Sequence, residues 1–232
     1  DATTYEQGNM HLAPEKATKV DLSYNFSSQA VNLFVNGYLS HTTDYISQMT
    51  KMDNERLITT YANADSDIKT GVEVSLKVTP AKWMNFSVGA NTYYVTTEGV
   101  FEGMHIDNQG WTNNSNLLLD FVPWKGGDLQ LQYFITTPQY YPQLTTSLTH
   151  QMNMGIKQRF MKGAMTASIL VTDVLNTAKW DVWSNNSLFN LKNSSTNKSR
   201  MIWLGVSYNF NSFKQKSNQK AETDRSLIKL GL

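Results

Sequence analysis

The residues able to do chemistry are few and scattered. His11, His41, His105 and His150 stand far apart and share no metal-ligand spacing, and the chain has no cysteine. That excludes a thiolate zinc site and a disulfide framework. His150 shares a face with Leu148 and Met152, which suits an interfacial side chain better than a ligand. No G-x-S-x-G, H-E-x-x-H or phosphate-cradling glycine loop occurs. Asp53 with Glu55, and Asp65 with Asp67, offer oxygen ligands of the kind Ca²⁺ takes, but read first as solvated loop acids. The expectation is a protein without catalysis, metal or cofactor. What repeats instead is the uncharged or mixed polar side chain at even spacing: Asn91, Asn114, Asn116, Asp120, Gln130, Gln132, Gln151, Asn153, Lys157 and Arg159. Amides both donate and accept, so such a set suits a hydrated wall or contact with a polar domain. Trp111, Tyr140, Tyr141, Trp180 and Trp183 could stack on a ligand, or could belong to an aromatic girdle.

The elements that carry these residues are strands. Val20, Leu22, Tyr24 and Phe26 alternate with Asp21, Ser23 and Asn25. Val72, Val74, Leu76 and Val78 alternate with Glu73, Ser75 and Lys77, and the same period recurs through Met84–Ala90, Leu129–Ile135 and Ile202–Phe210. One apolar and one polar face per strand is the result. Nine strands are expected, at about 17–27, 30–48, 57–79, 83–97, 110–122, 128–138, 147–160, 164–176 and 199–210. Short links at Ser27–Ala30, Pro80–Trp83, Pro123–Gly127 and Met161–Gly163 alternate with long polar links near Thr50–Arg56, Thr97–Gly110, Pro138–Ser147 and Thr177–Ser199.

Composition agrees with a bilayer as solvent. Of 232 residues, 40% are hydrophobic and 12% aromatic, while only 17% are charged and the net charge is +1. Ordinary soluble chains carry about a quarter charged residues. A phosphate-neutralising nucleic-acid binder would be strongly basic, so no nucleic-acid partner is expected. No apolar run approaches the roughly 18 residues of a membrane helix, but transmembrane strands need only about 9–11, tilted. Aromatics gather at both strand ends, as the two interfaces of a bilayer select. The expected fold is an all-β, antiparallel, up-and-down transmembrane β-barrel, here a partial barrel of about nine strands. Counting back from the last strand starts the chain on the long-loop side, whereas single-chain bacterial barrels pair an even number of strands. Residues 1–16 are accordingly expected to be an external loop segment, 17–210 the C-terminal portion of an outer-membrane β-barrel, and 211–232 a polar periplasmic tail.

Four segments resemble a known family. QGNMHLAPEKATKVDLSYNF resembles the Gly-Asn-x-x-Leu-x-Pro-Glu loop and following strand of TonB-dependent-receptor-like outer-membrane barrels of the Bacteroidetes type, with Met10 where proline is usual. YANADSDIKTGVEVSLKVTPAKWMNFSVGANTYY resembles the next hairpin, with Gly71, Glu73, Pro80, Lys82 and Trp83 in place. VTDVLNT resembles the penultimate strand, and SRMIWLGVSYNF the terminal one, with Leu204, Val206, Tyr208 and Phe210 as its terminal-strand signal. The resemblance implies a barrel of the bacterial outer membrane that takes up a nutrient. Its implied partners are outer-membrane lipid, the remaining barrel strands and plug of the same protein, TonB and a surface lipoprotein. A barrel with a structural or assembly role, and a soluble glycan-binding β-sandwich, are the alternative readings.

Overall fold

The computed structural model describes residues 4–53, 56–186, 188–196 and 198–210; the expected tail at 211–232 lies outside them. The strands are β1 (Thr4–Gln7), β2 (Lys16–Ser27), β3 (Val31–Asp53), β4 (Arg56–Ala81), β5 (Met84–Phe101), β6 (Met104–Phe121), β7 (Gly127–Thr136), β8 (Thr145–Thr146), β9 (Thr149–Phe160), β10 (Met165–Thr172), β11 (Lys179–Asn185), β12 (Asn190–Thr196) and β13 (Met201–Tyr208). Nine of them form one antiparallel path in the order β13-β10-β9-β7-β6-β5-β4-β3-β2. These are the nine strands the alternation predicts. Among the described residues the sheet is open, with β2 and β13 at its edges. An odd number of antiparallel strands leaves those two edges running in the same direction.

Register sorts the side chains cleanly. One cross-strand row reads Ser23, Asn36, Glu73, Asn91, Asn114, Thr136 and Thr149. A row on the opposite face reads Phe26, Leu33, Leu76, Val88, Leu117, Tyr133 and Met152. Among the described residues the apolar face has nothing packed over much of it: Leu22 is 82% exposed and Leu204 77%. In water so broad an apolar face would be a liability; in lipid it is the contact surface. Short turns lie where the sequence places them, between β2 and β3, β4 and β5, β6 and β7, and β9 and β10.

The other end of the sheet corrects the sequence reading. The long polar links expected near 50–56 and 97–110 fall, where described, in the outer halves of long hairpins. β3 and β4 run for 23 and 26 residues, well over the roughly 9–11 that cross a bilayer. β5 and β6 continue to a two-residue turn at Glu102 (φ 50) and Gly103 (φ 77), both in the left-handed region that a type I′ hairpin turn requires. The expected link at 177–199 contains β11 and β12, which with β8 form a separate three-stranded sheet. What disguised the hairpins is an inversion of the two-residue pattern. Below residue 94 of β5 the face bearing Asn91 and Asn114 is polar. Beyond it the same face carries Val95, Phe101, Met104 and Ile106, all buried, while Glu98, His105 and Asp107 point the other way. Tyr94 and Trp111 pair edge-on at 5.4 Å where the pattern turns over.

The inverted face is dry because a second hairpin lies on it. Pairing of β4 with β5 stops at Ser66↔Glu98, and Asp44 (φ 54) interrupts the ladder between β3 and β4. Beyond these points the β3–β4 hairpin leaves β5 and packs Met49 and Ala64 against Phe101, Met104 and Ile106, with Tyr45, Ala62 and Leu188 around them. Gly99 permits the crossing, since a Cβ there would meet the Asp65 nitrogen at 2.9 Å and the Ala64 Cα at 3.0 Å. Along the opened side of β4, β1 pairs in parallel, from Thr4↔Leu57 to Gln7↔Thr60. The Gly-Asn-x-x-Leu-x-Pro-Glu segment follows. Asn9 donates to the Tyr61 carbonyl at 2.9 Å, the Ala13 N–H donates to Asn63 at 2.9 Å, and Glu15 accepts from the Ile46 N–H at 3.1 Å.

Candidate ligand-binding site

The polar face and the outer structures meet around a cavity of about 400 Å³. Its walls are Asn114 of β6, Thr136 of β7 and Thr149 of β9. Gln139, Tyr141 and Thr146 come from the segment joining β7 to β9, and Trp180 from β11. That joining segment is held by hydrogen bonds from several directions. The buried Thr112 hydroxyl donates to the Pro138 carbonyl at 3.0 Å, and Asn108 donates to the Tyr141 carbonyl at 2.6 Å. Gln139 and Thr146 exchange two bonds at 3.0 Å, one through the Thr146 hydroxyl. Tyr140 lays its ring over Gly110, where any Cβ would collide with it. Gln143 bonds both backbone groups of Thr50, accepting from its N–H at 2.6 Å and donating to its carbonyl at 3.0 Å.

Trp180 is placed by a different device. β11 hangs from the end of β10 through Asp173, which is fully buried and in the left-handed region at φ 46. Its carboxylate accepts from the Thr177 N–H at 2.9 Å, the Ala178 N–H at 3.3 Å and the Ser199 hydroxyl. Its own N–H donates to Asn153 at 3.0 Å, and Arg200 donates to its carbonyl at 3.3 Å. Burial pushes the Asp173 carboxyl up, but the bonds from Ser199, Thr177 and Ala178, with Arg200 nearby, outweigh it and hold the group below the ordinary Asp value. This arrangement gives the VTDVLNT segment a physical role: one carboxylate fixes both the departure of the chain from β10 and its return into β13.

A smaller cavity of about 90 Å³ adjoins, sharing Gln139 and Tyr141 and lined also by Tyr45, Asp67, Lys69, Tyr93 and Thr97. Asp67 accepts from Thr97 at 2.7 Å and pairs with Lys69 at 2.8 Å. The pair neutralises itself, and Asp67 is engaged there rather than solvated.

The structure brings together some of the sequence candidates and separates others. Tyr141, Trp180 and Asn114 share the larger cavity. Tyr140 lines the smaller one, and Trp183 lines a third of about 270 Å³ with His105, Asn108 and Gln143. Trp111 stands apart, 64% exposed on the apolar face beside Tyr94. Asn91, Asn114, Asn116, Asp120, Gln130, Gln132, Gln151, Asn153, Lys157 and Arg159 all fall on the polar face. Several are engaged within it. Asn91 accepts from Tyr38 at 3.0 Å, Gln130 donates to Asp120 at 2.7 Å, Gln151 to Asn153 at 2.8 Å, and Arg159 pairs with Asp128 at 3.1 Å. Leu204, Val206 and Tyr208 line the apolar face of β13, and Phe210 meets Tyr208 edge-on at 4.8 Å. Thr136, Gln139, Thr146, Thr149 and Asp173 were missed as site residues. Only Asp173 had a local signal, its place in VTDVLNT; the others gain meaning from register alone.

Comparison with protein-family models matches residues 1–208 to the outer membrane protein beta-barrel family. No curated protein matches the chain. The match covers the whole nine-strand path, and it agrees with the broad exposed apolar face, the aromatic pair at its boundary and the long hairpins beyond. The chain belongs to the outer membrane protein beta-barrel family and resides in the bacterial outer membrane.

Proposed function

We propose that this chain is the barrel part of a surface receptor that captures a nutrient outside the cell and passes it through a plugged lumen, in the manner of TonB-dependent receptors. The observation that carries the reading is the cavity under Trp180 and Tyr141, built on the polar face and framed by structures that extend past the lipid-contacting part of the strands. A barrel that only anchored an assembly would need the apolar face but no such recess. The partners of this reading are a plug and further strands from the same protein, TonB, and a surface lipoprotein. It assigns the chain no catalysis. Uptake by cells of the native host tests it. Deleting the gene is expected to abolish accumulation of its nutrient, and collapsing the proton-motive force is expected to stop accumulation while surface binding persists. Accumulation that continues in the deletion strain, alongside loss of an outer-membrane complex, would replace it with the assembly reading.

A further inference from the structure

The lining of the larger cavity has a chemical character that narrows the ligand, granted the receptor reading above. Asn114, Thr136, Gln139, Tyr141, Thr146, Thr149 and Trp180 include no acidic, basic or imidazole side chain. The ion pair of Lys69 with Asp67 lies in the adjoining cavity and is closed on itself at 2.8 Å. Four polar groups of the lining make no hydrogen bond among the described residues: the Asn114 amide, the Thr136 hydroxyl, the Tyr141 hydroxyl and the Trp180 indole N–H. Between them they donate and accept. Both aromatics keep a large share of their surface accessible, Tyr141 at 49% and Trp180 at 47%. Gln139, by contrast, is engaged with Thr137 at 2.9 Å and with Tyr93 at 3.3 Å and serves to shape the recess.

We propose that this cavity binds a neutral, polyhydroxylated ligand, a segment of uncharged oligosaccharide. A sugar ring offers a C–H face that packs on tryptophan and tyrosine, and a rim of hydroxyls that donate and accept to amides and hydroxyls. A ferric chelate carrying net negative charge, or a peptide with ionised termini, would bring charges into a recess whose described lining holds no group to pair them, and desolvating an unpaired charge is costly. The volume of about 400 Å³ accommodates part of a chain rather than a whole polymer.

The test uses the full-length protein purified in detergent, titrated calorimetrically with neutral hexasaccharides of glucose, mannose and xylose. Oligogalacturonate, a tetrapeptide with free termini and a ferric catecholate are the charged comparisons. Expected are binding of at least one neutral hexasaccharide with little dependence on salt, and a loss of at least about tenfold in Trp180→Ala and in Tyr141→Ala, as for aromatic anchors. Asn114→Ala is expected to weaken binding less, and Trp111→Ala, on the opposite face, to leave it intact. Salt-sensitive binding of a charged probe that disappears in Trp180→Ala would overturn the ligand class while leaving the receptor reading in place. Silence of all three neutral hexasaccharides, or binding equally strong in Trp180→Ala and Tyr141→Ala, would also overturn it. The uptake experiment with the deletion strain then decides the receptor reading separately.

Discussion

The lower and upper halves of this sheet obey the same two-residue period and opposite solvents. In the lower half Val88, Leu117 and Leu131 face outward and Asn91, Asn116 and Gln130 face the polar side. In the upper half Ile106 and Val95 face the side on which Asn91 stands, each 2% exposed, and Glu98 and Asp107 face outward. The lower half has apolar residues on display because lipid solvates them. The upper half hides them because water does not. The level of Tyr94 and Trp111, where one pattern gives way to the other, is where interfacial aromatics would place an edge of the bilayer on β5 and β6. A strand can therefore record where its solvent changes without a break in hydrogen bonding.

Substitutions that exchange the rules of the halves give the largest effects. Ile106→Asp places an unpaired charge in the upper core and is expected to cost about 3–5 kcal/mol locally. Limited proteolysis should then cut the β3–β4 and β5–β6 tips while the barrel still migrates as a heat-modifiable band; an uncut tip would mean that the small core does not hold the hairpins together. Leu117→Arg tests the lower half. At the lipid-facing mid-level a charge is expected to cost about 2–4 kcal/mol, read from refolding into vesicles against urea, with the tips unaffected. A penalty at Asn116→Arg as large as at Leu117→Arg would remove the distinction between the faces.

Asp173→Ala removes the acceptor of three hydrogen bonds, and a bond to a charged group contributes roughly 1.5–3 kcal/mol. The expected result is a protease-sensitive β11–β12 hairpin on an intact barrel. The acid side offers a second readout. Because the folded pKa lies below the unfolded one, the contribution of Asp173 is complete above about pH 4 and declines as pH falls through the lower folded value. That portion of acid lability should be missing in Asp173→Asn, measured as hairpin cleavage against pH. The smallest effect belongs to the boundary itself. Trp111→Ala forfeits the edge-on pairing with Tyr94, expected at about 0.5–1.5 kcal/mol in vesicle refolding.

Much of the lower half was legible in the amino-acid order. Residues such as Leu129, Leu131 and Tyr133 betray their strand because one face is uniformly apolar, and each short turn carries its own signal. The upper half was not, for three physical reasons. Where the pattern inverts, near Val95 to Gly110, a window spanning both halves sees polar residues on either face and reads a loop. β8 has two residues and owes its existence to β11, so no local period can announce it. Cavity residues such as Thr136 and Thr149 are ordinary strand threonines until register and the folded tips set them beneath Trp180. The chemistry of Asn114, Tyr141 and Trp180 could be read from their types; the part played by Thr136 and Thr149 could not.

The two hydrogen bonds between Gln143 and Thr50 reach beyond holding two segments together. Past Thr43, β3 has lost β2 as a neighbour and would present free N–H and carbonyl groups to the medium. A side-chain amide imitates a peptide group, and Gln143 offers Thr50 the donor and acceptor that another strand would bring, while Glu15 occupies the Ile46 N–H four residues earlier. An exposed edge so occupied gives an incoming chain little to pair with. Along that stretch of β3, Gln143 and Glu15 do what a covering strand would do, leaving Thr50 and Ile46 closed to another sheet edge.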